Sequence, residues 1–247
     1  MTAHVLSVSG GRDSLAMLLG MAERGMPIDH VLYFNGGWDF PSCTEHVRRA
    51  CAALNVPLTE LDCTLGRPKA ATYATLTGGF QRYGWPHYRR RWCTREKLNT
   101  LSRHTKTLGE HVEYVGYAVG EEKRAAKGAG GQRYPLLEWG WTPDDCLDYC
   151  SARGYDWKGL YGPGMFTRLS CYCCPLQGLR DWRLLRTHRP ELWERALRME
   201  REWSGERGYP GSVWHEKTLA DLAERFAGED RQPRLFSGDS GGTTEEA

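Results

Sequence analysis

Three sets of residues in this chain have the types and spacing to do chemistry. The first is the run Ser7, Ser9, Gly10, Gly11, Arg12, Asp13 and Ser14. An apolar stretch from His4 to Val8 leads into it and an apolar helical pattern leads out. The paired glycines let the backbone approach an anion closely and take positive φ. The amides and dipole of the helix that follows then point at a phosphate. Ser7, Ser9 and Ser14 add hydroxyl donors, and Asp13 is placed to hold Mg²⁺ or orient a water. Arg12 supplies positive charge and a fork suited to two phosphate oxygens. The spacing matches neither the lysine-bearing ATPase loop nor the dinucleotide fingerprint. A plain strand-to-helix turn with a serine cap fits the same residues.

The second set is drawn from nine cysteines, an odd number, in a chain for which a cytoplasmic setting is the expectation. In a reducing compartment such residues serve as ligands or catalytic thiols more often than as disulfides. Cys43, Cys51, Cys146 and Cys150 fall on helical patterns and Cys63 follows a strand-like run, so these read as small buried hydrophobes. Cys93, Cys171, Cys173 and Cys174 remain. Cys171 and Cys174 form a C-x-x-C turn, the spacing of Zn²⁺ and Fe–S sites. One pair cannot complete either site. At least one more ligand is needed, and Arg89, Arg90, Arg91 and Arg95 would favour the thiolate of Cys93. Cys173 is then a fourth ligand or a free, catalytic thiol. A structural Zn²⁺ site and a metal-free buried cluster are the competing readings.

The third set is the basic aromatic segment Arg82 to Lys97, where Trp85, His87, Tyr88 and Trp92 are interleaved with arginines. Stacking rings plus phosphate-binding cations suit a single-stranded nucleic acid such as tRNA or DNA. A local anion site for the nucleotide alone is the alternative.

The elements that must position these residues follow from periodicity. With 247 residues, 40% of them hydrophobic, the chain has room for one large α/β domain and an appendage. A net charge of +2 gives no global field toward nucleic acid. No stretch approaches the roughly 18 apolar residues that cross a bilayer, and the start carries no signal-peptide pattern. A cytoplasmic location without membrane contact is the expectation.

Strands are predicted at His4 to Val8, around "DHVLYFNGG", at "PLTELDC" and at Glu113 to Val119. Helices are predicted at Ser14 to Arg24, from Pro41 to near Asn55, and from Pro143 to Gly154 with Thr142 as N-cap. Strands alternating with helices give a doubly wound α/β fold with a mostly parallel sheet. Ligands then sit at the carboxyl ends of the strands, in the loops after Val8, Phe34 and Val119. Arg124 to Pro135 reads as a mobile glycine-rich loop, and two helices break at Pro190. The divisions expected are a nucleotide-binding domain over 1–140, a helical segment with the cysteines over 141–227, and a disordered tail over 228–247.

Taken together, the motifs resemble a known family. SGGRDS is similar to the signature of the PP-loop ATP pyrophosphatases, within the adenine nucleotide α-hydrolase superfamily. "FNGGWDFPSC", "RRWCTREK", "YVGYAVGEEKRAAK", "YPLLEWGWTPDDCLDYC" and "RLSCYCCPLQ" follow in the order found in the phosphoadenosine phosphosulfate (PAPS) reductase-like family, in its iron–sulfur-bearing type. The resemblance implies an adenine nucleotide site that adds Asn35, Gly36, Gly37, Asp39, Gly116 and Arg124 to the first loop. It also implies a [4Fe–4S] cluster on Cys93, Cys171 and Cys174, with Cys173 nearby, and a sulfur donor or reductant protein as partner.

The departures are informative. Gly36 replaces the usual threonine, Ser42-Cys43 replaces a Glu-Thr pair, and Ala118 stands where the family has an arginine. No cysteine follows Cys174 to act as the reductases' nucleophile. The expectation is therefore ATP with Mg²⁺ cleaved to AMP and pyrophosphate, with Arg12 and Asp13 catalytic and sulfur transferred to the adenylated acceptor. Sulfonucleotide reduction is the alternative enzyme, and a nucleotide-regulated nucleic-acid-binding protein is the third reading.

Overall fold

A computed structural model describes residues 2–65, 73–87, 89–128, 130–174, 176–207 and 209–231. Tyr88, Pro175 and residues 232–247, most of the expected tail, lie outside the described residues.

Five parallel strands form one sheet in the order β3-β2-β1-β4-β5. They are β1 (Ala3–Val8), β2 (His30–Phe34), β3 (Leu58–Leu61), β4 (His111–Val115) and β5 (Gln132–Arg133). Val5 and Leu6 of β1, and Val31 and Leu32 of β2, have no exposed surface, as strands covered on both faces require. The chain runs outward from β1 through β2 to β3, then returns to lay β4 on the other flank of β1. The strand order thus reverses at β1, which opens a crevice at its carboxyl end.

Helix α1 (Arg12–Glu23) buries Leu15, Ala16, Met17, Leu18 and Met21 almost completely. It packs against α2 (Pro41–Leu54), α6 (Pro135–Glu138) and α7 (Pro143–Ser151). Each large apolar side chain so buried contributes about 2 kcal/mol, and together they offset the cost of burying polar groups at its first turn. Helix α2 begins at Pro41 and ends where Asn55 turns left-handed at φ 52, as its sequence predicts. Thr142 caps α7 in a reciprocal box, its hydroxyl accepting from Asp145 N (3.2 Å) while the Asp145 carboxylate accepts from Thr142 N (2.8 Å). Pro190 separates α8 (Leu179–His188) from α9 (Pro190–Arg207). The remaining helices are α3 (Leu76–Tyr83), α4 (Trp92–Thr105), α5 (Glu122–Ala125) and α10 (Leu219–Arg231).

Three expectations need correction. The fourth strand stops at Val115 because Tyr117 N turns back onto the Val115 carbonyl (2.9 Å), leaving Gly116 to Val119 as a loop. The glycine-rich stretch 124–135 contains the end of α5 and all of β5, pinned where Gln132 donates to Glu113 (2.7 Å) and Tyr134 donates to the Ala125 carbonyl (3.1 Å). Residues 228–231, expected in the tail, complete α10. Leu219, Leu222 and Phe226 bury one face of that helix and override its polar composition. Among the described residues no helix is long and apolar enough to cross a membrane.

Candidate active site

The loop after β1 closes on itself. Ser9 N donates to the Ser14 hydroxyl (3.0 Å), the two serine hydroxyls meet at 3.1 Å, and Ser14 reaches the Gly11 carbonyl (3.2 Å). Gly10 has φ 74, and a Cβ on it would stand 2.3 Å from the Cys43 carbonyl in the first turn of α2. Gly11, the N-cap, offers no side chain to the first-turn amides of α1, so apart from Arg12 N, which reaches the Tyr161 hydroxyl at 3.4 Å, those donors are available to an anion. Both sequence readings of the turn thus meet: serines shape it, and the helix end stays open. Ser7 lies back in β1 and donates to Glu113 (2.8 Å), which ties its hydroxyl into the sheet.

Arg12 is largely buried beside α7. Its guanidinium lies 3.5 Å from Asp13, 3.6 Å from Asp144 and 4.9 Å from the centre of the Tyr161 ring. The 3.5 Å pairing is too long for a good hydrogen bond, so Arg12 Nε and Asp13 Oδ1 remain buried without a hydrogen-bond partner. Burial pushes the Asp13 carboxyl up to about 6; Arg12 opposes the rise and the nearby Glu121 carboxylate adds to it. Glu121 belongs to the loop after β4 and is not among the sequence-predicted site residues. Gly116 starts that loop flush against α1: a Cβ there would meet Ser14 Cα at 2.9 Å. Arg124 forms an ion pair with Glu121 and stacks 4.4 Å from the Tyr117 ring centre. The loops after β1 and β4 therefore bring Asp13 and Glu121 to one place, with Arg12 and Arg124 behind them.

The loop after β2 supplies a cleft of about 450 Å³ bordered by Asn35, Gly37, Asp39, Thr44 and Arg48. Asn35 bonds Gly37 N (3.2 Å) and Glu60 (3.2 Å), and Glu60 in turn takes Arg48 (2.6 Å). Gly36 faces inward instead, where a Cβ would meet Leu76 at 2.7 Å. That packing explains why the family's threonine cannot be accommodated here without movement of Leu76.

The cysteine segment is bonded directly to this second loop. Phe40 N donates to the Ser170 carbonyl (2.9 Å), Tyr172 N donates to the Trp38 carbonyl (2.8 Å), and Asp39 bridges Cys171 between them. Cys93 opens α4 beside them, because Trp92 packs edge-on against Trp38 at 5.8 Å. Burial pushes the Cys93, Cys171 and Cys173 thiols up, and each feels the charge of Cys174. Lys97 offsets part of this at Cys171 and at Asp39. The thiols are gathered in one neighbourhood of the donor type that soft metals prefer. Among the described residues, however, no three His, Cys, Asp or Glu side chains form a ligating group. Cys173 is fully buried, which removes the solvent access a free nucleophile requires. The other five cysteines are buried, as their helical and strand settings predict.

The basic segment differs from its sequence reading. Trp85 and Trp92 are buried in a cluster with Trp38 and Phe80, so neither ring is open to stack on a base. Arg82, Arg89, Arg90, Arg91 and Arg95 are exposed, and Arg91 lies near enough to Cys93 to act on its thiol. Tyr88 falls outside the described residues.

No curated protein sequence matches this chain. Among solved structures it is similar to the PAPS reductase of Candida auris in its phosphate complex, at 15% identity and TM-score 0.45, over 63% of this chain and 75% of that one. It is also similar to the U34-tRNA thiolase NcsA of Methanococcus maripaludis with its [4Fe-4S] cluster, at 13% identity and TM-score 0.42, over 91% and 80%. A third likeness is the NH3-dependent NAD synthetase of Campylobacter jejuni subsp. jejuni with nitrate, at 13% identity and TM-score 0.41, over 95% and 89%. The sequence model of the phosphoadenosine phosphosulfate reductase domain matches residues 3–177, nearly everything described above except the closing helices, and the chain belongs to that family.

Proposed function

We propose that this chain is an ATP-cleaving member of its family, which adenylates an acceptor and releases pyrophosphate. The observation that carries this reading is the pairing of the open phosphate loop with the Asp13 and Glu121 carboxylates. Arg12 and Arg124 already neutralise part of the charge on Asp13 and Glu121, and a divalent cation between the two carboxylates would remove the repulsion that remains toward a nucleotide. A triphosphate brings such a cation, and Mg²⁺ needs only one or two protein carboxylates because phosphates and waters complete its shell. Asp13 and Glu121 are the residues that would hold it, and when bound it neutralises charge on the phosphates. A sulfonucleotide without a metal calls for cations instead, and the family's arginine is here the buried Ala118.

In this reading the Ser9, Gly10, Gly11 and Ser14 loop seats the phosphates, Asn35, Gly37 and Asp39 border the adenosine, and Arg12 steadies Asp13. An acceptor oxygen attacks the α-phosphorus, the bond to the β-phosphate breaks, and pyrophosphate leaves. Sulfur from a donor protein then displaces AMP. Cys93, Cys171 and Cys174, with Cys173, would hold an iron–sulfur cluster, or zinc, which would supply a sulfur-binding or structural centre beside the loop. The exposed Arg82, Arg89, Arg90, Arg91 and Arg95 are the cations that a tRNA or DNA acceptor would meet.

Membership in the PAPS reductase domain family supports a second reading, sulfonucleotide reduction. Product analysis separates them. AMP and pyrophosphate formed from ATP with RNA and metabolite pools support the first. Sulfite formed from PAPS, with ATP left intact, supports the second and overturns the first.

A further inference from the structure

Tyr161 lies between α7 and the cysteines, in a stretch to which the sequence assigns no chemistry. The structure makes it the link between the phosphate loop and the cysteine segment. Its hydroxyl oxygen accepts the N–H of Leu169 at 3.0 Å and the N–H of Arg12 at 3.4 Å. Arg12 N is the first amide of α1, one of the donors a phosphate at this helix end would take. Leu169 stands two residues before Cys171, and its carbonyl lies 2.9 Å from where a Cβ on Gly11 would be. The same Cβ would stand 3.4 Å from the Tyr161 hydroxyl, so the phenol borders the loop itself. The Arg12 guanidinium covers its ring, and Trp157, four residues earlier, donates to the Gly10 carbonyl at 3.0 Å.

A phenol has one proton and two lone pairs. Both lone pairs are engaged by the two amides, and among the described residues the phenol's own proton meets no acceptor. Burial holds that phenol protonated well beyond the working pH range. A donor fixed at the rim of an anion loop is complementary to a phosphate oxygen. The 3.4 Å bond to Arg12 is also long enough that this amide can be shared with one.

We propose that Tyr161 donates its phenol proton to a nucleotide phosphate seated on the Gly10–Ser14 loop and, through Leu169, fixes the cysteine segment against the occupied loop. This rests on the reading of the loop as a nucleotide site. It makes Tyr161 a phosphate-contacting residue and a positioning residue for the thiols.

The test is Tyr161→Phe, which keeps the ring under Arg12 and removes only the hydroxyl. Calorimetric titration with ATP and with adenosine should show about a tenfold loss of ATP affinity, the range for a hydrogen bond to a charged group, with adenosine affinity unchanged. Hydrogen–deuterium exchange over residues 165–172 should slow on adding ATP to the wild-type protein and should not respond in the variant. Equal ATP affinity in both proteins would overturn the proposal. Parallel losses for ATP and adenosine would overturn it too, since they would mark a purely structural pin. Should the variant fold poorly, the wild-type exchange result decides: an unresponsive segment 165–172 counts against the link. A wild-type protein that binds no ATP would defeat the nucleotide reading itself, and that result does not involve the variant.

Discussion

In the phosphate loop the polar groups of Ser9, Gly11 and Ser14 are spent largely on one another, and the turn is complete before any ligand arrives. In the cysteine segment the polar atoms that matter are crowded thiols, and burial together with the neighbouring Cys93 and Cys174 pushes Cys171 and Cys173 upward. The first region is shaped largely by its own residues, with Trp157 and Tyr161 bracing its backbone. The second takes its position from others, through Trp38, Phe40 and Leu169. A preorganised loop binds without reorganisation, which is the main requirement of phosphoryl-type catalysis. A gathered but unclosed set of thiols gains most from a ligand that neutralises it. The contrast implies that the two regions can be broken separately.

The largest effect is expected from Gly10→Ala. Left-handed backbone strain and a Cβ 2.3 Å from the Cys43 carbonyl together cost about 3 kcal/mol or more. Denaturant melts should show that loss, and nucleotide binding should disappear with it. A variant as stable as the parent would mean the loop is not packed as described.

Next comes Asp13→Asn, expected to lower pyrophosphate release by about 100-fold or more if Asp13 holds the metal. Its stability should move in the opposite direction. Asp13 titrates at about 6 in the fold against an ordinary 3.8, so the folded state binds the proton more tightly. That contribution to stability is complete below about pH 3.8 and is lost as pH rises through about 6. The amide of the variant carries no such slope, so Asp13→Asn protein should exceed wild type in stability above about pH 6. Parallel stability curves from about pH 4 to about pH 7 would contradict the burial of this carboxyl.

On the other side of the comparison, Cys174→Ala should strip most bound iron or zinc, read by metal analysis after anaerobic purification, while leaving ATP affinity within about twofold. Loss of both together would show that the regions are one cooperative unit.

Behind the cysteines, buried Glu200 accepts from Trp85 Nε1 (2.6 Å), Leu219 N (2.9 Å) and Ala220 N (2.8 Å), and so ties α10 to the tryptophan cluster that positions α4. Glu200→Gln should cost about 2 kcal/mol. Smallest is Thr142→Ala, which removes the α7 cap for about 1 kcal/mol. Thermal unfolding of both variants should preserve that order.

Much of this was legible from local chemistry. Gly10 and Gly11 after an apolar strand, Pro41 and Asn55 bounding a helix, and Thr142 as the cap before Pro143 all act within a few residues, so their sequence signals survive folding. What escaped was set by distant partners. Trp85 and Trp92 read as exposed stacking rings because nothing local shows that Trp38 and Phe80 bury them. Nothing local to Gly36 shows that Leu76 packs against it and leaves no room for a side chain. Glu121 and Tyr161 reach the loop only because β4 returns beside β1 and the stretch after α7 folds back over it. A loop of two carboxylates, one from each side of the topological switch, has no signature in a single segment.

The central question is whether the loop is built for a metal-bound triphosphate. Calorimetric titration of wild-type and Asp13→Asn protein with ATP and with PAPS, each with and without Mg²⁺, asks this directly. ATP should bind wild type far more tightly with Mg²⁺, the variant should lose this dependence, and PAPS should be the weaker ligand throughout. Tight PAPS binding indifferent to Mg²⁺, with no binding of ATP, would contradict this reading.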